Sequence, residues 1–271
     1  MDIAVIIPAA GASKRFTDSL THEGLGDPFA SRSKLDEDLG GRPVIQRTVE
    51  LFTKLPEVRT IIVAGPHDAA AMDMFRSRHG DKLGLLGAQI CTGGKDHRYE
   101  TVMNALKLVP ASCTHVAIHD AARPCASLEL IERVFAAAQH HTAVVPGVDV
   151  PDTLKRVSEM LVDAPQDPLA GILGQSTKPL GRLVEQTVDR SRVVGVQTPQ
   201  VFELSLLRRA YAQKDLQSTD DAQLVERLGE PVLIVAGEST NIKITRLEDV
   251  RLARAILGVK SGGERSASMR F

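Results

Sequence analysis

Short apolar runs alternate along this chain with longer stretches in which apolar residues recur at helical spacing. The runs 3–8, 59–64 (Arg-Thr-Ile-Ile-Val-Ala), 87–91, 114–119, 142–146 and 231–235 predict strands, and 43–54, 98–108 and 127–140 predict helices. The first run, Ile3 to Ile7, is apolar without alternation, as expected of a parallel strand buried on both faces. Strand–helix alternation predicts βαβ units, a mostly parallel sheet and right-handed crossovers, hence an α/β fold. Two stretches break the pattern. Residues 17–33 are polar and rich in Gly, Pro and Ser, and 159–181 carry Pro and Gly and read as a loop. On either side of the second, 147–158 and 182–189 alternate and predict an extended arm. Asn241-Ile242-Lys243-Ile244-Thr245 alternates as well, which would put Asn241, Lys243 and Thr245 on one face of a strand. Val259 to Phe271 is Gly/Ser-rich and is expected to fray.

Composition narrows the class. The 271 residues suit one large α/β domain or two small ones. Charge is nearly balanced, with a formal net charge of −1 and no long basic run, which gives no case for a nucleic-acid or membrane partner. The absence of Trp and the presence of only 2 Tyr argue against stacking platforms for single strands. A strand beginning almost at Met1 leaves no room for a signal peptide, and no apolar run is long enough to span a bilayer. Cys91, Cys113 and Cys125 show no metal-ligand spacing and read as reduced thiols of a cytoplasmic protein.

The chemistry lies where runs end. After β-type residues 3–8 comes Ala9-Ala10-Gly11-Ala12-Ser13-Lys14-Arg15, a small-residue turn with open backbone N–H groups and two cations, suited to a polyphosphate. It matches neither the GxxxxGK[ST] nor the GxGxxG pattern, and it could equally be a turn that only packs. His119-Asp120-Ala121-Ala122-Arg123-Pro124 follows another apolar run. An Asp at a parallel strand's C-terminal end can hold Mg²⁺, or pair with Arg123 to fix the loop. Gly93-Gly94 with Arg98 and Thr101 permits close approach of a flat base, although Thr101 also fits an ordinary helix face. Thr219-Asp220-Asp221-Ala222 reads as a helix start with Thr219 as N-cap.

Taken in order, these segments with Val188-Asp189-Arg190, Gln197-Thr198-Pro199-Gln200 and Asn241-Ile242-Lys243-Ile244-Thr245 resemble the 2-C-methyl-D-erythritol 4-phosphate cytidylyltransferases of the non-mevalonate isoprenoid pathway. The resemblance runs from about Ile3 to Ile256. It implies a Rossmann-like nucleotidyltransferase fold with a mostly parallel mixed sheet, one domain over 1–258, and a protruding β-arm at about 147–189 that builds a homodimer. It implies CTP and a sugar phosphate as substrates and Mg²⁺ as cofactor. Residue by residue, it implies that Ala9, Ala10, Gly11 and Arg15 wrap the triphosphate, that Gly94, Arg98 and Thr101 meet cytosine and ribose, and that Asp120 holds Mg²⁺. Arg15, Lys34 and Lys243 would be the catalytic cations. Arg123, Thr153, Arg190, Thr198 and Thr219 would line the sugar-phosphate end, with Arg123 and Thr153 facing the substrate bound in the partner subunit's site.

The chain also departs from that pattern. Ser13 stands where the family has a glycine, so a positive φ there would strain it. Lys34 arrives after an insertion at about 17–33, read as a lid over CTP, and an extra residue separates Gly94 from Arg98. Ribitol-5-phosphate cytidylyltransferase and a non-catalytic nucleotide-binding module are the alternative readings.

Overall fold

The computed structural model describes residues 1–11, 13–22, 33–163 and 179–259. The elements are β1 (Ile3–Pro8), α1 (Lys14–His22), a 3-10 turn (Lys34–Asp36), α2 (Val44–Glu50), β2 (Val58–Gly65), α3 (Ala69–Leu85), β3 (Ala88–Thr92), α4 (Arg98–Leu106), β4 (His115–Ile118), α5 (Leu128–Ala138) and β5 (Ala143–Asp149). The short strands β6 (Leu154–Val157), β7 (Val162–Asp163), β8 (Pro179–Gly181), β9 (Val184–Val188) and β10 (Val194–Val196) follow. Then come β11 (Gln200–Glu203), α6 (Leu204–Tyr211), α7 (Ala222–Glu226), β12 (Leu233–Ala236) and α8 (Leu247–Ile256). Two compact units divide the chain: Met1–Gly147 with Val196–Phe271, and Val148–Gly195.

In the first unit the sheet runs β5-β11-β4-β1-β2-β3, with β12 beside β5. The pairings β1–β2, β1–β4, β2–β3 and β12–β5 are parallel, and β11 lies antiparallel between β4 and β5. Every residue from Ile3 to Ile7 is fully buried. The reason is that both faces are covered: Ile3, Val5 and Ile7 join a core with Phe52, Leu130, Ile131 and Val250, whereas Ala4 and Ile6 join one with Val102, Phe202, Leu207 and Leu224. A continuous apolar run is what two covered faces demand.

In the second unit β6 pairs antiparallel with β9, and β7 with β8. Its side chains are mostly exposed, with Met160 at 80 %, Leu183 at 64 % and Val184 at 59 %. The loop expected over 159–181 therefore contains strand pairing at its two ends. Its middle lies outside the described residues, as do most of the expected lid and nearly all of the frayed tail.

One helix lies beyond the expected elements, and two expectations are corrected. The polar stretch after the first turn begins as helix: α1 buries Phe16 completely, and the Leu247 N–H at the start of α8 donates to Ser19 Oγ at 3.1 Å. Residues 241–245 are not a strand. The Ile242 N–H turns back to Thr240 O at 2.8 Å and the Ile244 N–H reaches Ala122 O at 2.8 Å, while Asn241 is fully buried and Lys243 is exposed, so the expected shared face does not form. Thr219 is not an N-cap: α7 begins at Ala222, and it is Asp220 Oδ1 that accepts the Gln223 N–H at 3.0 Å.

Candidate active site

The C-terminal ends of β1, β3 and β4 converge on one cavity of about 340 Å³, the place where open parallel sheets bind ligands. Its walls are the first loop (Pro8 to Gly11), Lys34 and Leu35, Gly94 to Arg98 with Thr101, Asp120 to Ala122, and Lys243. Ala9, Ala10, Gly11, Lys34, Gly94, Arg98, Thr101, Asp120 and Lys243 thus share one space.

Asp120 is its electrostatic centre. Lys243 Nζ lies 2.8 Å from Asp120 Oδ2, Arg123 Nε 3.4 Å from the same oxygen, and an Arg98 nitrogen 4.0 Å from Oδ1. Burial pushes this carboxyl's pKa up, but the charges of Lys243, Arg98 and Arg123 outweigh it and hold Asp120 far below the usual carboxylate range. Lys34 donates to Ile244 O at 2.9 Å. Burial first, then repulsion from Lys243, lower its ammonium from 10.5 to about 8, although Asp120 opposes the shift.

The Asp120 turn is braced from behind. His119 is fully buried, and burial lowers its imidazole to about 4 against the opposing effect of the Arg123 carbonyl, so the ring is neutral. A carbonyl only accepts, which assigns the ring proton to Nε2, 3.0 Å from Arg123 O. Nδ1 then accepts from the Thr198 hydroxyl at 3.1 Å, and Thr198 Oγ1 accepts the Asp120 N–H at 3.0 Å.

Several residues expected to meet substrate also bond to the protein itself. The Arg123 side chain is only 12 % exposed and donates to Asn241 O at 2.7 Å as well as facing Asp120, so its charge points inward. Thr198 is buried in the brace just described. Thr101 Oγ1 accepts the Gly94 N–H at 2.9 Å. Arg98, although it lines the cavity, lies 2.6 Å from Asp221 Oδ2. Asp221 is fully buried and also accepts from the Tyr211 hydroxyl. Sequence reasoning saw that acid only as part of a helix start.

The paired glycines also answer to packing. A Cβ on Gly93 would sit 2.5 Å from Gly65 O at the end of β2, and one on Gly94 would sit 2.2 Å from Glu100 Cβ, so β2 and α4 respectively pack where side chains cannot. Arg15 is exposed on α1 and outside the cavity wall, yet close enough for its charge to lower Lys34. Thr219 is exposed beside a separate cleft with His97, Arg98 and Tyr99. Thr153 and Arg190 belong to the second unit. There Arg190 donates to the carbonyls of Val150 and Pro151 and so ties the two ends of the arm together. Ser13 has φ 53°, the left-handed conformation that favours the glycine expected at this position, and its hydroxyl is buried without a partner among the described residues. Lys95, Asp96 and His97, which the sequence did not single out, complete the wall.

A sequence model of the 2-C-methyl-D-erythritol 4-phosphate cytidylyltransferase family matches residues 3–170 and 174–259. The enzyme of that name from Geobacillus kaustophilus is 33% identical over 262 residues, covering 95% of this chain and 97% of the relative. A bifunctional enzyme from Desulfotalea psychrophila is 35% identical over 263 residues, and the chain spans 57% of that longer protein. The crystal structure of the 2-C-methyl-D-erythritol 4-phosphate cytidylyltransferase from Thermus thermophilus superposes with a TM-score of 0.64 at 33% identity, over 96% of this chain and 100% of that one. Built around an Asp120 ringed by cations at the ends of β1, β3 and β4, the chain belongs to the 2-C-methyl-D-erythritol 4-phosphate cytidylyltransferase family, nucleotidyltransferases of isoprenoid precursor biosynthesis.

Proposed function

We propose that the cavity around Asp120 transfers the CMP group of CTP to the phosphate of 2-C-methyl-D-erythritol 4-phosphate and releases pyrophosphate. An oxygen of the sugar phosphate bonds to the α-phosphorus of CTP as the bond from that phosphorus to the pyrophosphate oxygen breaks. The attacking phosphate monoester is already ionised at neutral pH, so no general base is required. The barrier is the approach of two anions and the charge that builds on the α-phosphoryl and leaving groups, which makes positioning and neutralisation the protein's task. The single observation that carries this reading is the convergence of Lys34, Arg98 and Lys243 on one strand-end cavity. In it, Ala9 to Gly11 receive the triphosphate, with Arg15 near its outer end. Gly94, Arg98 and Thr101 border the nucleoside, and Lys34 and Lys243 neutralise charge at the reacting phosphates.

The donor chemistry at Asp120 fits Mg²⁺. The carboxylate is held ionised, and the contacts of Lys243 and Arg123 are to its Oδ2, with Arg98 4.0 Å from Oδ1. Among the described residues no group of three or more His, Cys, Asp or Glu side chains could hold a metal, which suits an ion that takes one or two protein carboxylates and fills its shell with phosphate and water. When bound, Mg²⁺ would draw charge from the phosphate oxygens. Arg123 and Thr198 serve this chemistry by aiming Asp120.

In this reading Thr153, Arg190 and Thr219 are further contacts of the sugar phosphate, with Thr153 supplied across a homodimer. Exposed Met160, Leu161, Leu183 and Val184 on the arm support a second copy as the covering partner. Among the described residues no helix is long and apolar enough to cross a membrane, and the three cysteines are free. A cytoplasmic setting is consistent with those thiols.

Pyrophosphate release with CTP, Mg²⁺ and the erythritol phosphate, with ribitol 5-phosphate in parallel, tests the reaction. Release with ribitol 5-phosphate alone overturns the substrate, and silence with both overturns the activity. Sedimentation at micromolar concentration tests the dimer, and a monomer rejects it.

A further inference from the structure

We propose that Gln197 is a positioning residue for the reaction, setting the loop that presents Lys243 to Asp120. The proposal rests on the reading of Lys243 as a charge-neutralising group. Lys243 sits in 237–246, a segment without strand or helix, so its placement relies on other bonds. Gln197 supplies them. Its side-chain amide, 7 % exposed, donates from Nε2 to Glu238 O at 2.7 Å and more distantly to Asn241 O at 3.4 Å. Oε1 accepts the Glu238 N–H at 3.1 Å and the Asn241 Nδ2–H at 3.4 Å. One amide therefore copies, in both directions, the pairing a neighbouring strand would give at Glu238.

Gly237 lets it do so: a Cβ there would lie 2.7 Å from Gln197 Oε1 and 3.0 Å from the Gly147 backbone. Gln197 is itself anchored through its own N–H to Pro146 O at 2.7 Å. Past the clamp, Asn241 Nδ2 donates to Thr198 O at 2.9 Å, and the Ile244 N–H to Ala122 O at 2.8 Å. The loop is thus fixed on both sides of Lys243, to the residue before the Thr198 brace and to the Asp120 turn. A buried amide whose bonds all serve a loop bearing a reactive cation acts on that cation.

The test is a double-mutant cycle between Gln197→Leu and Lys243→Met, read as steady-state pyrophosphate release with CTP and acceptor varied. Gln197→Leu alone should lower kcat at least 10-fold, with KM for CTP within about 3-fold. In the Lys243→Met background it should lower kcat less than 2-fold further, because the group it positions is gone. Equal losses in both backgrounds would mean a general structural role and overturn the proposal, as would an unimpaired Gln197→Leu. If Lys243→Met keeps full turnover, the Lys243 reading fails first and the proposal with it, an outcome distinct from additivity. Gly237→Ala displaces the amide without altering it. It should reproduce the loss of kcat and the same non-additivity, and it decides the matter if Gln197→Leu does not fold.

Discussion

Replacing Lys34 by methionine should make the protein more stable and less active at once. The folded chain lowers the Lys34 ammonium from 10.5 to about 8, because burial disfavours its charge and Lys243 repels it. At about 1.4 kcal/mol per unit of pKa, keeping that group charged at pH 7 costs roughly 3 kcal/mol of stability. Methionine keeps an unbranched apolar stem and forfeits the hydrogen bond to Ile244 O, worth about 1 kcal/mol. The net expectation is a gain of roughly 2 kcal/mol at pH 7. Below about 8 both folded and unfolded chains carry the proton and the whole penalty applies. Between about 8 and 10.5 only the unfolded chain holds it, so wild-type stability climbs with pH and the advantage of methionine fades. Urea unfolding of both proteins at pH 7 and pH 10 measures this, and pyrophosphate release at pH 7 should fall about 10²–10³-fold. Equal stabilities at pH 7, or a gain undiminished at pH 10, would refute the reasoning.

Asp221→Asn removes the carboxylate that faces Arg98 and leaves a cation without its closest partner; a loss of about 3–5 kcal/mol in urea unfolding is expected, and wild-type stability would show that Arg98 finds another acceptor. Ser13→Gly releases a φ of 53° and deletes a hydroxyl buried without a partner among the described residues, so thermal unfolding should show a gain of about 0.5–1 kcal/mol with turnover retained. Gly93→Ala forces Gly65 O and Ala10 apart by its Cβ. It should cost about 1–3 kcal/mol and weaken CTP binding measured by calorimetry.

Periodicity and motif reveal different parts of this molecule. β1 and β4 were legible because a run without polar residues has few solutions other than a strand covered on both faces. The longest helix among the described residues, α3, was not: its buried positions are Met72, Phe75, His79 and Leu83, and with a histidine in the stripe and Gly80 and Gly84 interrupting, the spacing loses its contrast. Antiparallel β11 hid inside a segment noticed for Gln197 and Thr198 rather than for Val201 and Phe202. Asn241 to Thr245 alternates like a strand, but its amides turn to Thr240 and Ala122, a choice set by distant chain. At the site, the charged inventory could be read from residue type and place after each run. Which group of the protein each charge rests on could not, since Arg123, Arg98, Lys34 and Lys243 look alike in sequence. Only the fold supplies Asn241 O to Arg123 and Asp221 to Arg98.

The pairing of Lys243 with Asp120 and of Lys34 with Ile244 O has a consequence for what the cavity lets in. Its cations rest on internal acceptors, so an arriving anion must compete with the protein for them. A nucleoside triphosphate carries enough charge to take several cations together. Entry of an anion is thereby an exchange of partners, in which a solute that engages several cations at once has the advantage over a single charge.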